Sequence, residues 1–137
     1  FVVTFEELQA MFDAKEIDLS QYEAESSFHD ATGAGRGYAC AGGVAEAIEK
    51  CINEYYPDVE VSIEHAEGLA ECKKTLTLAK AGRLNGCLIE GMGCPGGCIA
   101  GAGTNIPVLK AKKDLAAYVK NSTTPIPPKE LEEIELE

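Results

Sequence analysis

The chain has 137 residues and a mass of 14.5 kDa, which is the size of one domain or part of one. With 45% hydrophobic and 26% charged residues, its composition excludes a disordered tail, and no apolar run approaches the ~20 residues that span a bilayer. Twelve basic against 23 acidic residues give a net charge of −11. This excess argues against nucleic acid, whose affinity depends on cationic contacts with phosphate. We therefore expect neither a nucleic-acid nor a membrane partner.

The first predicted element is a helix close to the N-terminus. Thr4 and Glu7 have the spacing of a capping box. The apolar residues that follow recur at i, i+3 and i+7 on one helical face: Phe5, Leu8 and Phe12. Residues 18–32 are polar and predicted to be irregular, and they lead into the glycine-rich stretch 33–37.

A second helix, a strand and a third helix are predicted next. The second helix begins after Gly42-Gly43 and ends at Pro57. Alternating apolar and polar residues predict a strand over 59–64. The third helix ends at Gly82 as its C′ residue. Apolar residues keep a helical period on both helices: Val44, Ala47, Ile48, Cys51, Ile52 and Tyr55, then Leu69, Cys72, Leu76 and Ala79.

The remaining chain predicts a strand, a loop and a last helix. Residues 87–90 form the predicted strand, 91–104 a glycine- and cysteine-rich loop, and the helix begins near Pro107. Strands that alternate with helices predict an α/β fold, a parallel sheet flanked by helices. We expect the domain to span residues 1–121 and residues 122–137 to be a proline-containing linker with an acidic tail.

Six cysteines without an export signal favour metal binding or redox chemistry in a reducing cytoplasm over a disulfide framework. Four of them are predicted to be structural, three because they lie at apolar positions of predicted elements: Cys40, Cys51, Cys72 and Cys87. Cys94 and Cys98 differ, because glycines on both sides leave room for a bulky group near the backbone. Their loop follows a strand, at the sheet edge where α/β proteins place ligands. An iron–sulfur cluster is bulky, anionic and thiolate-ligated, and it normally takes four thiolates.

Three other sites remain open for this loop on the residues alone. Residues 91–96 match the G-x-G-x-x-G dinucleotide fingerprint, although Pro95 lacks an N–H donor and no acidic strand end follows. A disulfide or redox pair of Cys94 and Cys98 would differ in spacing from the C-x-x-C of thioredoxin-like proteins. Tetrahedral zinc would need two more ligands. His29 and His65 show no ligand-like spacing, and we expect them at the surface or beside helices.

The run from Glu90 to Gly103, E-G-M-G-C-P-G-G-C-I-A-G-A-G, is the most specific motif in the chain. It closely resembles the third cluster-binding signature of iron-only ([FeFe]) hydrogenase large subunits, approximately E-x-M-A-C-P-G-G-C-x-x-G-G-G. Upstream, residues 35–47 are similar to the family's G-x-x-F-G-x-x-G-G-V-x-E-A segment, and residues 68–74 to a piece that precedes the signature strand. The resemblance runs in order over about residues 1–120.

The resemblance implies a role for four residues. Cys94 would be a ligand of a [4Fe-4S] cubane, and Cys98 would bridge the cubane to the diiron subsite at which hydrogen is made or split. Met92 would line the diiron pocket, as would Tyr38, which stands where the family usually has Phe. The family's first two signatures, T-S-C-C-P and M-P-C-x-x-K, supply the other ligands and a proton-relay thiol, and they have no match here.

These departures, with the abrupt N-terminus, predict one lobe of a larger cluster domain. The chain by itself should then be apo and inactive, and no catalytic residue is assigned within it. The implied partners are the N-terminal lobe of the same parent and a redox protein such as ferredoxin. A homodimer of the isolated lobe, through the face that would meet the missing lobe, is a further expectation.

The parent reaction implied by the resemblance is reversible hydrogen oxidation and proton reduction in the cytoplasm. Ala39, Ala102 and Thr104 depart from the family pattern near the cluster and hint at a sensory branch. A non-catalytic hydrogen or redox sensor, or an electron-transfer module, is therefore the first alternative. A nucleotide-binding α/β domain is the second.

Overall fold

The structure is a computed structural model, and it describes residues 1–23 and 31–129. His29 and the predicted acidic tail from residue 130 lie outside these ranges. The described elements are α1 Phe5–Ala14, α2 Gly33–Arg36, α3 Gly43–Tyr55, β1 Ser62–Glu67, α4 Leu69–Lys80, β2 Cys87–Met92 and α5 Val108–Lys120. Short 3-10 turns lie at Leu19–Gln21, Gly37–Ala39 and Cys98–Ala100. Every helix in the described ranges is too short or too polar to cross a bilayer.

The sheet that the structure describes has two parallel strands, joined by α4 as a β-α-β unit. The register places Ser62 opposite Cys87, His65 opposite Glu90 and Glu67 opposite Met92. Parallel strands need a crossover connection, which α4 supplies. Both strands end at the same edge of the sheet, so the segments that follow them leave the sheet side by side. The predicted α/β fold with a parallel sheet flanked by helices is confirmed.

The ends of the helices follow their predicted signals. The Thr4 hydroxyl accepts the Glu7 N–H, and the Glu7 carboxylate accepts the Thr4 N–H at 2.7 Å, so the capping box forms. Gly82 has a φ of +73° after α4, as expected for a C′ glycine. The helix predicted after Gly42-Gly43 begins at Gly43, and the last helix begins directly after Pro107.

Two predicted strand boundaries are wrong. The first strand covers residues 62–67 rather than 59–64, because pairing with β2 selects the paired residues, and Val59 stays outside the strand. The second strand continues beyond residue 90 to Met92, because the parallel pairing runs on through the glycine at 91. The glycine-rich stretch, for which the sequence predicted no element, forms α2 and a 3-10 turn, and the Thr32 hydroxyl caps α2.

The buried core in the described ranges is small and consists largely of alanine. Its hydrophobic members are Ala34, Ala45, Ala47, Ala66 and Ala111, and the described residues include no large side chain that is fully buried. The α4 residues Leu69 and Leu76, predicted to face the core, are 78% and 62% exposed. Likewise α1 buries none of its residues, and its Phe5 is exposed. These predicted apolar faces therefore form, but the described elements leave Leu69, Leu76 and Phe5 largely exposed.

The solvent-accessible surface area of the chain is larger than that of a compact monomer of its mass, in agreement with these exposed apolar side chains. The chain exposes 11054 Å², whereas a compact monomer of its mass exposes about 6,900 Å². The residues outside the described ranges would add at most about 2,400 Å² even as fully extended chain. Part of the excess therefore comes from the described residues.

The predicted linker contacts the helices over its described part. The Gly33 and Ala34 N–H groups donate to the carbonyls of Thr124 and Pro125 at 2.8 and 2.9 Å. The Tyr55 hydroxyl donates to the carbonyl of Pro127 at 2.6 Å. These bonds hold the segment against α2 and α3.

Candidate functional site

The cysteine loop, residues 93–104, begins where β2 ends, at the carboxyl edge of the parallel sheet. Cys94 and Cys98 are both exposed, and their thiols are free. The loop enters the 3-10 turn Cys98–Ala100 and then leads to α5. The structure thus places the two predicted ligands where α/β sheets present ligand-binding groups.

A tight turn separates the two thiols. The Gly97 N–H donates to the Cys94 carbonyl at 3.0 Å. Gly96 and Gly97 have φ angles of +89° and +86°, a region that side chains with a Cβ rarely adopt. A Cβ on Gly101 would lie 3.7 Å from the Cys94 Sγ. Glycine at these positions therefore permits the turn and keeps the space beside the Cys94 thiol open.

The backbone of residues 39–41 supports this turn from the α3 side. A Cβ on Gly97 would lie 2.5 Å from the Ala41 nitrogen and 2.6 Å from the Ala39 carbonyl oxygen, so only glycine allows the approach. The Ala41 N–H also donates to the Gly96 carbonyl at 3.2 Å. This contact was not predicted from the sequence, in which the glycine pair between the two cysteines is its only signal.

The end of β1 supports the start of the cysteine loop. The Glu67 carboxylate accepts the Gly96 N–H at 2.6 Å. The Gly68 N–H donates to the Met92 carbonyl at 2.7 Å, and a Cβ on Gly68 would lie 3.5 Å from the Pro95 ring. Two adjacent residues at the β1–α4 corner thus hydrogen-bond to the cysteine loop and to the end of β2.

Glu90 is a buried carboxylate within β2, and its side chain is only 8% exposed. One carboxylate oxygen accepts the Val44 and Ala45 N–H groups at 3.0 and 3.4 Å, at the start of α3. The other oxygen lies 3.1 Å from Nδ1 of His65. The N-cap of α3 is Gly42, which has no side chain for capping, so Glu90 supplies the cap from the neighbouring strand.

The two loop thiols are not part of a larger ligand cluster in the described part of the chain. In residues 1–23 and 31–129, no three His, Cys, Asp or Glu side chains gather as a metal site. Cys72 is half-buried, with its Sγ 3.6 Å from the Ala66 carbonyl oxygen, in agreement with its predicted packing role. His65 lies within β1, rather than beside a helix, and is half exposed. The loop thus offers two soft thiolate donors, fewer than the four that a cubane cluster takes.

The four predicted site residues fall into two places. Met92 ends β2 two residues before Cys94, so it shares one continuous segment with both thiols. The Tyr38 side chain is 48% exposed and lines a cleft of about 520 Å³ with residues of α2 and α3 and with Pro127. No cysteine-loop residue lines that cleft, and Tyr38 is linked to the loop through the backbone that follows it.

The backbone that follows β2 does not fit a dinucleotide-binding loop. The structure provides the strand before the glycines, but the loop continues into the three-residue turn Cys98–Ala100. The dinucleotide fingerprint needs the N-terminus of a full helix, where backbone N–H groups bind the pyrophosphate. The local backbone therefore disfavours nucleotide binding here.

Comparison with known proteins identifies the family. Residues 1–102 match the family model described as iron only hydrogenase large subunit, C-terminal domain. The match includes both loop thiols, Met92 and Tyr38, and it confirms the resemblance over this range. A comparison with curated proteins gave no significant match.

Proposed function

The chain belongs to the family of the C-terminal domain of iron-only hydrogenase large subunits, and on that basis we propose that it is one lobe of a cluster-binding domain. In this proposal the lobe contributes two thiolate ligands, Cys94 to a [4Fe-4S] cubane and Cys98 as the bridge to a diiron subsite. Met92 and Tyr38 take the pocket-lining roles that the family pattern gives them. When bound in the parent protein, the cluster supplies the redox chemistry of reversible hydrogen oxidation and proton reduction.

The observation that carries the proposal is the pair of exposed thiols on a glycine turn at the carboxyl edge of the sheet. Thiolates are the donors that iron–sulfur clusters use. Gly101 leaves the space beside the Cys94 thiol open, and Gly97 fits the turn against the backbone of residues 39–41. This part of the chain can therefore hold two ligands at a fixed spacing while a bulky group approaches them.

Two features support a lobe that needs a partner. The loop supplies two thiolates, whereas a cubane normally takes four. The apolar faces of α1 and α4 are largely uncovered in the described structure, as expected for surfaces that meet another part of a protein. We propose that the N-terminal lobe of the parent covers them and completes the ligand set, and that the chain alone is inactive.

The remaining expectations form part of the same proposal. The lobe covers residues 1–121, followed by the linker and tail of 122–137. The parent exchanges electrons with a redox protein such as ferredoxin in the cytoplasm. The isolated lobe pairs with a second copy of itself through its uncovered faces.

Anaerobic cobalt titration tests the ligand assignment without requiring a complete cluster. Co²⁺ bound by thiolates shows a sulfur-to-cobalt charge-transfer band, and solvent can fill the remaining coordination positions. We expect the band in the wild type and its loss in Cys94→Ala/Cys98→Ala. The control Cys51→Ala/Cys87→Ala removes two half-buried thiols elsewhere and should keep the band. A band that persists without Cys94 and Cys98 would overturn the assignment.

A further inference from the structure

We propose that Glu67 is a positioning residue for the cysteine loop, because its carboxylate fixes the turn between Cys94 and Cys98 through the Gly96 N–H. The inference rests on the function proposed above, in which both thiols hold one metal group. Glu67 is not proposed as a ligand. It acts through the backbone of the loop.

The bond between the Gly96 N–H and the Glu67 carboxylate is charge-assisted and lies at the exposed surface. The distance from the Gly96 nitrogen to Oε2 of Glu67 is 2.6 Å, slightly below the usual range of about 2.7–3.2 Å for N–H···O bonds. A carboxylate acceptor makes such a bond roughly twice as strong as a neutral one. The donor peptide lies between the two cysteines, so this bond acts on both ligand positions.

Glu67 is itself held by a rigid corner that is independent of the loop. It is the last residue of β1, and its partner in the register is Met92. Its own N–H donates to the Glu71 carboxylate at 3.0 Å, in the first turn of α4. The next residue, Gly68, bonds to the Met92 carbonyl at 2.7 Å. The strand and the helix therefore hold the Glu67 backbone, from which the side chain reaches the loop.

The Gly96 peptide is held from two sides. Glu67 accepts its N–H on the β1 side, and the Ala41 N–H donates to its carbonyl on the α3 side. Two successive glycines would otherwise give this turn much conformational freedom. Fixing the peptide limits the relative motion of the two thiols, which is what two ligands of one metal group require.

Amide exchange in the metal-free chain tests the anchor directly. Replacing Glu67 with alanine removes the charged acceptor of the Gly96 N–H. In Glu67→Ala we therefore expect the Gly96 and Gly97 amides to exchange at least about tenfold faster than in the wild type. Glu67→Gln keeps an acceptor and should restore most of the protection. The control Glu64→Ala, on the same strand three residues earlier, should leave both amides unchanged.

A second readout links the anchor to the metal. We expect Glu67→Ala to weaken Co²⁺ binding by about tenfold and Glu67→Gln to recover most of it. Unchanged amide exchange in Glu67→Ala would overturn the positioning role, whatever the metal result. Equal cobalt affinity of Glu67→Ala and the wild type would also overturn it. If instead the wild-type cobalt band does not depend on Cys94 and Cys98, the proposed function fails, and amide exchange still decides whether Glu67 anchors the turn.

Discussion

Replacing Glu90 with alanine removes the cap that β2 provides for α3. The carboxylate is almost fully buried and accepts two backbone N–H groups, from Val44 and Ala45. An N-cap residue contributes about 1 kcal/mol, and a hydrogen bond to a charged acceptor about 1.5–3 kcal/mol. Because these describe overlapping contacts, we expect Glu90→Ala to lower the free energy of unfolding by about 2–3 kcal/mol. Glu90→Gln, which keeps an acceptor oxygen, should lower it by about 1 kcal/mol.

Urea unfolding followed by circular dichroism measures this loss as a lower midpoint with an unchanged slope. The control Glu54→Ala alters an exposed carboxylate near the C-terminal end of the same helix and should change stability by less than about 0.5 kcal/mol. Equal stability of Glu90→Ala and the wild type would refute the cap, since the buried N–H groups would then have found other acceptors. If Glu54→Ala lowered the free energy of unfolding as much as Glu90→Ala, the loss would reflect any change in α3 and not the removal of its cap.

Two further predictions concern the turn and the N-terminal region. In Gly97→Ala a residue with a positive φ gains a Cβ 2.5 Å from the neighbouring backbone, so we expect the free energy of unfolding to fall by about 3–4 kcal/mol. The control Gly86→Ala also has a positive φ, but the space around it is open, so we expect a loss of about 1–2 kcal/mol. Equal losses in thermal unfolding would show that the close approach is absent. The pKa of Asp18 is lowered, chiefly because the Ser20 hydroxyl and then the Ser20 N–H donate to its carboxylate. These hydrogen bonds to the ionised Asp18 stabilise the 3-10 turn at pH values above the Asp18 pKa of the unfolded chain. The stabilisation is lost as the pH falls through the lower Asp18 pKa of the folded chain. Ser20→Ala should raise the Asp18 pKa in a carboxyl NMR titration, and an unchanged midpoint would contradict the cause.

Features that depend on neighbouring residues were predictable from the sequence. The capping box of Thr4 and Glu7 and the C′ glycine Gly82 each involve residues within one helical turn, so their spacing alone specifies them. The position of the cysteine loop was equally predictable, because a strand, a glycine-rich segment and the order of the elements are all visible in the chain.

Features that depend on pairing between distant residues were not predictable from the sequence. The first strand is shifted toward Glu67 because β2, more than twenty residues later, decides which residues pair. The bonds of Glu67 to Gly96 and of Glu90 to Val44 join residues 29 and 46 positions apart. A single glutamate carries no sequence signal for such a contact, since most glutamates are exposed.

The exposed leucines of α4 show a different limit. A helical apolar period predicts which face is apolar, and Leu69 and Leu76 do share the predicted stripe. It does not predict whether the same chain supplies the surface that covers this face. Both side chains are highly exposed, so the described residues leave this part of the apolar face uncovered.

Anaerobic reconstitution with iron and sulfide tests whether Cys94 and Cys98 hold a cluster. Excess small thiol is present to fill the ligand positions that these two residues do not supply. Iron and sulfide retained after desalting are counted, and the product is examined by EPR. The account predicts that the wild type and Cys51→Ala/Cys87→Ala retain a cluster, whereas Cys94→Ala/Cys98→Ala does not. Retention of as much iron by Cys94→Ala/Cys98→Ala as by the wild type would contradict it.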